Sequence, residues 1–311
     1  MERIFRVIFL LSVSNLLVMV SRQKHIKPSE LSFYREFNIQ QHLRHPILLD
    51  NTINYRSMTF IERNARIIEG RFTDIRNYPS MACLIVKEPR RIHFRGGASI
   101  ISAHWVVTAA HCLLLITDND IHNKRAYVRS NSTTWIRDYA DHLAIRRYAH
   151  EEFNLTTMDY DVGLIKVKEK FEPPNEVPIK FVRMNYRYVD DTNVTMLGWG
   201  STTIIPPYST TQYLLAANLT ITNFEKCQTS YRYRPYDVTD RMVCAAAPGR
   251  GACVYDSGGP VLQNGTLIGI ISWGSNVCAY PRLPTVYTKL SLFYYWIRDK
   301  IDQKKKRLLY F

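Results

Sequence analysis

The stretch Cys253-Val-Tyr-Asp-Ser-Gly-Gly-Pro260 organises the interpretation of this 311-residue chain. Its serine, Ser257, stands between an acid and two glycines. Glycine tolerates backbone conformations that other residues avoid, so the serine can sit on a tight, exposed turn. The same residue types are common in surface turns, and the stretch by itself leaves that simpler interpretation open.

Two stretches upstream supply the partners that a reactive serine needs. Thr108-Ala-Ala-His-Cys112 contains His111, and Asp161-Val-Gly-Leu-Ile-Lys166 begins with Asp161. A serine hydroxyl is a weak nucleophile at neutral pH. It needs an imidazole to take its proton, and the imidazole needs a buried carboxylate to fix its tautomer.

Short apolar runs separated by turn residues predict an all-β sandwich or barrel, in a chain long enough to bury a sizeable core. The runs cover residues 81–86, 98–102, 105–108, 161–167, 194–198, 266–272 and 285–288. Leu292, Tyr295, Trp296 and Ile301 recur at helical spacing and predict a C-terminal helix that packs on the core.

Residues 1–66 and the glycosylation sequons further along the chain are typical of a secreted precursor. Residues 1–21 are typical of a signal peptide, because Arg3 and Arg6 precede an apolar run; an uncleaved membrane anchor is the alternative. Residues 22–66 are polar, basic and lack cysteine, and we interpret them as a linker or pro-segment. Five Asn-x-Ser/Thr sequons fit an extracellular chain and predict exposed, glycosylated loops at Asn131, Asn154, Asn193, Asn218 and Asn264.

Charge and cysteine content narrow the class of partner. The formal net charge is +14, but Lys and Arg are spread along the chain. This favours a basic protein without an acidic partner over one that binds anionic glycans or a membrane surface, and we expect no nucleic-acid partner. Six cysteines suggest three disulfides, and none lies in a Cys-x-x-Cys pair or a zinc-spaced cluster, so we expect no metal and no cofactor.

The His, Asp and Ser motifs, in this order, resemble those of the trypsin-like (chymotrypsin-fold) serine proteases, and specifically an insect-type secreted member. Further motifs in family order are Gly198-Trp-Gly200, Ser272-Trp-Gly274 and Val286-Tyr-Thr288. The resemblance runs from Ile67 to about Ile301. It implies two six-stranded antiparallel β-barrels packed face to face with a C-terminal α-helix, and a protease domain over residues 67–311.

The resemblance also implies roles for single residues. Ser257 would be the nucleophile, His111 the general base and then acid, and Asp161 the orienting carboxylate. Asp159 is a rival, but only Asp161 precedes the apolar run that the family requires. In the family, cleavage of a zymogen frees an α-ammonium that pairs with the carboxylate before the serine. The matching positions here are Arg66, Ile67 and Asp256.

Two disulfides follow from the resemblance, Cys227–Cys244 and Cys253–Cys278. The family's third bond loses its partner, because Arg95 stands where a cysteine would bond Cys112, and Cys83 is additional. We expect Cys83 to pair with Cys112, although the geometry of such a bond is demanding. The alternative is two free thiols near His111.

The resemblance places the primary specificity pocket at Gly251, Gly274 and Thr285. Gly251 forms its floor and carries no charge, so a preference for Lys or Arg is not expected. Gly274 leaves the wall open, while Thr285 makes the pocket shallower, which predicts a small or medium apolar side chain. Ser272 and Gly274 would pair with the substrate backbone.

One residue departs from the family pattern at a sensitive place. Tyr255 replaces a glycine whose backbone N–H forms the oxyanion hole together with that of Ser257. Losing one such donor typically costs about 10²–10³ in rate.

Two functions stay open. The first is a monomeric, secreted serine endopeptidase that cleaves proteins or peptides, is activated by another protease after Arg66, and meets serine protease inhibitors. The second is a catalytically weak or inactive homologue that binds proteins through the same cleft.

Overall fold

The computed structural model describes residues 70–203, 208–232, 236–275, 278–280 and 282–307, with side chains up to residue 302. The predicted signal peptide, the pro-segment and the Arg66–Ile67 junction lie outside the described residues. Within the described part of the chain, no helix has the length and apolar character needed to cross a membrane.

Six antiparallel strands of the N-terminal half close into a barrel in the order β2-β3-β4-β7-β6-β5. They are β2 (Met81–Glu88), β3 (Arg91–Ser102), β4 (Trp105–Thr108), β5 (Ala126–Ser130), β6 (Ala140–Ala149) and β7 (Gly163–Val167). The first six residues of β2 are all buried, because β3 and β5 flank this strand and its apolar side chains fill the barrel.

A second barrel follows in the C-terminal half, in the order β9-β10-β13-β12-β11-β8, and pairing of β8 with β9 closes it. Its strands are β8 (Asn193–Gly198), β9 (Leu215–Thr222), β10 (Met242–Ala246), β11 (Pro260–Gln263), β12 (Thr266–Trp273) and β13 (Thr285–Lys289). The short β1 (Arg71–Phe72) adds to β9. The prediction of two six-stranded antiparallel barrels is therefore confirmed.

Few helices accompany the strands. They are α1 (Ala110–Leu113), α2 (Asp118–His122), α3 (Phe224–Tyr231) and α4 (Tyr294–Arg307), with 3-10 turns at Ile75–Asn77 and Leu290–Phe293. The predicted C-terminal helix is confirmed, but its predicted apolar face is partly wrong. Leu292 is 49% exposed and Tyr295 is 65% exposed, whereas Phe293 and Ile297 are buried. The i, i+4 pair Phe293–Ile297, rather than Leu292–Tyr295, sets which face packs on the core.

Gly97 in the first barrel and Gly259 in the second let the barrels meet closely. The N–H of Gly97 in β3 donates to the carbonyl oxygen of Ser257 at 2.8 Å. A methyl group added to Gly97 would lie 2.7 Å from the Cα of Gly259, so the two backbones are in direct contact. The stretch around Ser257 therefore lies at the junction of the barrels, held from the first barrel by β3.

Candidate active site

Strand pairing in the first barrel brings His111 and Asp161 together. β4 pairs with β7, with Thr108 opposite Gly163, so the residues just after β4 and just before β7 are neighbours. His111 Nδ1 lies 2.7 Å from Asp161 Oδ2, and the backbone N–H of His111 donates to Asp161 Oδ1 at 2.9 Å. Both side chains are almost fully buried. The two motifs that the sequence separates by fifty residues thus form one unit.

The second barrel fixes the same carboxylate. Ser272 Oγ donates to Asp161 Oδ2 at 2.5 Å, and Thr288 Oγ1 donates to the carbonyl oxygen of Asp161 at 2.9 Å. Sequence reasoning assigned Ser272 only a contact with substrate backbone and missed Thr288. The Val286-Tyr-Thr288 motif was the available signal. Its last residue, Thr288, lies near the end of β13, and its hydroxyl reaches Asp161 in the first barrel.

Asp159, the rival carboxylate, binds other residues instead of His111. It pairs with Arg241 at 2.5 Å and accepts a hydrogen bond from Thr239 Oγ1 at 2.9 Å. These contacts engage its carboxylate with the segment that leads into β10. The carboxylate beside His111 is that of Asp161.

The buried pair sets the protonation of the imidazole. Burial by itself lowers the pKa of His111, but the charge of Asp161 and the hydrogen bond to it outweigh burial, and the pKa of His111 lies well above its ordinary value. A proton on Nδ1 satisfies Asp161 and leaves Nε2 as the nitrogen that can take a second proton.

Ser257 follows one tight turn and is the second residue of another. Asp256 N donates to the carbonyl of Cys253 at 3.1 Å, and Gly259 N donates to the carbonyl of Asp256 at 3.0 Å. The third residue of each turn has a positive φ, +78° at Tyr255 and +82° at Gly258. A side chain at Gly258 would collide with Thr108 Oγ1 and the Gly97 carbonyl. The glycine is therefore required for Ser257 to stand at the junction.

Tyr255 occupies a backbone conformation that glycine would normally take. In its turn only Tyr255 of the two central residues has a positive φ, which is the pattern of a type II turn. The residue is 7% exposed, and its ring packs edge-on against Phe94 with 6.3 Å between ring centroids. The side chain is thus accommodated without opening the turn, at a conformational cost of about 1–2 kcal/mol.

Asp256 is buried without a cation beside it in the described residues. Its Oδ1 accepts a hydrogen bond from Gly200 N at 2.8 Å, and its Oδ2 accepts one from Cys253 N at 2.9 Å. Burial raises the pKa of Asp256 from 3.8 to about 7, although the two backbone hydrogen bonds oppose the increase. Side chains at Gly198 or Gly200 would strike this carboxylate, which explains both glycines of the Gly-Trp-Gly turn.

The three residues of the expected specificity pocket, here called the recess, lie close together in the second half of the chain. A methyl group at Gly251 would lie 3.3 Å from Thr285 Oγ1, and one at Gly274 would lie 3.8 Å from Thr285 Cα. Thr285 therefore stands between the two glycines, where its hydroxyl also accepts a hydrogen bond from Ala252 N at 3.2 Å. Trp273 packs against two tyrosines that sequence reasoning missed, Tyr231 and Tyr236.

Comparisons with known proteins place this site in a family. The family model described as trypsin matches residues 67–297. The chain belongs to the trypsin family of serine endopeptidases. A trypsin of Phaedon cochleariae is 32% identical over 244 residues, which cover 77% of this chain and 90% of that protein. Trypsin theta of Drosophila melanogaster is 33% identical, covering 76% of this chain and 86% of that protein.

A solved structure supports the same relationship. Neuropsin, a serine protease expressed in the limbic system of mouse brain, superposes with a TM-score of 0.65 at 28% identity. The match covers 75% of this chain and 99% of that one. Peptide bonds are accordingly the class of substrate, and insect proteins are among the relatives of the chain.

The cysteines depart from the trypsin family pattern in one respect. The bonds Cys227–Cys244 and Cys253–Cys278 form as predicted. Cys83 and Cys112 are free and buried, so the predicted bond between them is wrong. Cys83 lies opposite Arg129 in the β2–β5 register, whereas Cys112 Sγ lies 3.6 Å from His111 Nε2. The two thiols have different neighbours, and burial raises the pKa of the Cys83 thiol.

The predicted glycosylation sites lie at the surface, but not all in loops. Asn154, Asn193, Asn218 and Asn264 are exposed, and Asn131 is half-buried. Two of them belong to paired strands: Asn193 in β8 lies opposite Thr220 in β9, and Asn218 lies opposite Thr195. The loop prediction is therefore wrong for these two sequons.

Proposed function

We propose that this chain is a secreted serine endopeptidase, made as a zymogen and activated by cleavage after Arg66, that hydrolyses peptide bonds through an acyl-enzyme. The observation that carries this proposal is the buried His111–Asp161 pair, held from both barrels next to the turn that presents Ser257. This pair supports the proposal because acyl transfer by a serine needs an imidazole that is oriented by a carboxylate.

In this proposal each residue has one role in the reaction. Ser257 Oγ attacks the carbonyl carbon of the scissile bond while His111 Nε2 takes its proton. Asp161 holds the imidazole and stabilises its charged form. The backbone N–H groups of Tyr255 and Ser257 stabilise the oxyanion. His111 then returns the proton to the leaving amine, and a water molecule repeats the sequence on the acyl group, which frees Ser257.

Zymogen activation would act through Asp256. A carboxylate that is fully buried favours protonation, which explains why its pKa rises to about 7. An α-ammonium on Ile67 would supply the missing opposite charge and hold the turn around Ser257. This step requires an activating protease that cuts after Arg66.

The recess indicates which substrate side chain the enzyme accepts immediately before the scissile bond. Gly251 offers no charge for a Lys or Arg side chain, and Thr285 occupies depth that a long side chain would need. A small or medium apolar side chain fits best. Ser272 and Gly274 would pair with the backbone of the substrate as it crosses this edge.

The sequons and the disulfides favour a secreted protein. Four exposed sequons and two disulfides suit an oxidising, extracellular compartment. We expect a monomer that meets protein or peptide substrates and serine protease inhibitors. The net charge of +14 requires no anionic glycan or membrane partner, because Lys and Arg are spread along the chain.

The alternative, an inactive homologue that binds proteins, rests mainly on Tyr255. The glycine-like φ of this residue favours catalysis, because the turn closes with its ordinary hydrogen bond.

A covalent probe separates the two functions. The protein is cut after Arg66 and treated with an organophosphonate. We expect stoichiometric labelling that Ser257→Ala abolishes and that Ser209→Ala, on an exposed loop, leaves intact. No labelling of protein whose Ile67 is shown to be free would refute the enzyme.

A further inference from the structure

A β-bulge in the first barrel re-aims Arg95. In the register of β2 with β3, Leu84 lies opposite Gly96 and Ile85 lies opposite Phe94, so Arg95 is the extra residue. Bulges turn side chains out of the regular alternation and are frequent beside active sites. Here the residue before Arg95, Phe94, contacts Tyr255. The phenylalanine ring packs on the tyrosine, and the arginine charge acts on its hydroxyl.

Arg95 is largely buried and has no anionic partner in the described part of the chain. Its Nε is shielded from solvent and makes no hydrogen bond there. The carboxylates nearest in its electrostatic surroundings are engaged elsewhere. Asp120 pairs with Arg125 at 2.7 Å, and Glu88 lies 3.2 Å from His93 Nε2.

Another buried arginine in the same barrel shows the ordinary arrangement. Arg129 is 2% exposed, and it places Nε and Nη2 on the two oxygens of Asp141 at 2.7 and 2.9 Å. A buried guanidinium without such a partner is costly, because its desolvation is not offset. Arg95 therefore has an unmet requirement for a carboxylate.

The backbone that carries Arg95 also contacts the turn around Ser257. A methyl group on the following residue, Gly96, would lie 2.7 Å from the Ser257 carbonyl oxygen and from Cys112 Sγ. The recess of Gly251, Gly274 and Thr285 belongs to the second barrel, whereas Arg95 belongs to the first. A peptide whose acyl side fills that recess reaches the first barrel with the residues after the scissile bond.

We propose that Arg95, supported by the ring of Tyr255, forms a subsite for a carboxylate on the leaving-group side, and that it selects an acidic side chain in the first two residues after the scissile bond. This inference rests on the proposed endopeptidase function. A guanidinium fork matches a carboxylate with two parallel hydrogen bonds, and partial burial strengthens the pair beyond that of a surface ion pair. The rigid tyrosine ring keeps the approach to the guanidinium in place.

Matched peptides test the subsite in the protein cut after Arg66. Internally quenched peptides share one acyl side and carry Glu, Gln or Lys at the first or second position after the scissile bond. We expect kcat/KM for the better Glu peptide to exceed that of its Gln counterpart by about 10–100-fold. Arg95→Gln reduces this ratio to near one, and Arg95→Lys gives an intermediate ratio. The control Arg91→Gln, on an exposed position of the same strand, leaves the ratio unchanged.

Two further measurements separate this inference from the proposed function. A short activated ester with no residue after the scissile bond reports the catalytic groups alone, and Arg95→Gln should change its hydrolysis less than about 3-fold. If the ester is cleaved but Glu and Gln peptides react equally, or if Arg95→Gln keeps the Glu preference, the subsite is refuted. If the ester is not cleaved, the proposed function fails instead. The subsite is then judged by anisotropy of labelled peptides on Ser257→Ala protein, where equal binding of Glu and Gln peptides refutes it.

Discussion

The buried carboxylate of Asp256 should make the uncleaved protein lose stability as the pH rises. Its folded-state pKa is about 7 and its ordinary value is 3.8, so the folded protein holds this proton more tightly than the unfolded chain. Between about pH 4 and pH 7 the folded state binds more protons, and the free energy of unfolding falls with rising pH. The two pKa values correspond to a loss of about 4 kcal/mol that is complete once the pH exceeds the folded pKa.

Cleavage after Arg66 should remove most of that loss. The new α-ammonium on Ile67 would pair with the ionised carboxylate, which lowers the pKa of Asp256 again and restores stability above pH 7. Activation would then be visible as a change in pH dependence, independent of any substrate.

Urea unfolding from pH 4.5 to pH 8 measures the effect. Ser257→Ala protein is compared intact and after cleavage, so that self-digestion does not interfere. Asp256→Asn in the same background is the control, because other titrating groups, His111 among them, contribute equally to both proteins. The difference between the two intact proteins should fall by about 3 kcal/mol across this range, because part of the total loss occurs below pH 4.5. Parallel curves for the two intact proteins, or an undiminished loss after cleavage, would refute the reasoning.

Four substitutions test other parts of the site. Asp161→Asn should lower kcat by about 10⁴ because the imidazole then adopts the wrong tautomer, and a loss below tenfold in single-turnover assays would contradict the assigned role. Tyr255→Gly should change ester hydrolysis less than tenfold, since the turn already has a glycine-like φ; a gain above a hundredfold would mean that the tyrosine misplaces the oxyanion donor. Arg95→Cys should form a disulfide with Cys112 and raise the free energy of unfolding by about 3 kcal/mol, unless alkylation after denaturation still finds both thiols. Thr285→Gly should deepen the recess and favour larger apolar side chains before the scissile bond by about tenfold; an unchanged preference in a peptide library would place the floor elsewhere.

The sequence predicted seven of the twelve barrel strands and missed five, among them the apolar β10 (Met242–Ala246). Residues 81–86 were expected as a strand, and β2 spans Met81–Glu88. Residues 98–102 were expected as another, but β3 begins at Arg91, because the charged first half of this strand shows no apolar run. β6 (Ala140–Ala149) was not predicted at all, since the adjacent charged residues Arg146 and Arg147 interrupt the alternation of apolar and polar residues.

The candidate site was predictable where its parts are short motifs and unpredictable where it depends on side-chain direction. His111, Asp161 and Ser257 each lie in a short motif that can be recognised from consecutive residues alone. The free state of Cys112 depends on which side of β3 its thiol reaches, and that direction is a property of the assembled barrel.

Tyr255 and Arg95 show why departures from a family pattern are hard to interpret one position at a time. Along the sequence they are two separate departures from the family pattern, 160 positions apart, and each by itself suggests damage: a crowded oxyanion turn and a lost disulfide. In the structure Arg95 is the extra residue of a β-bulge, and its neighbour Phe94 packs edge-on against the Tyr255 ring. The tyrosine keeps the φ of a glycine, so the turn that leads to Ser257 closes in spite of the side chain. We therefore interpret the two departures together, as parts of the proposed carboxylate subsite, rather than as two separate signs of lost catalysis.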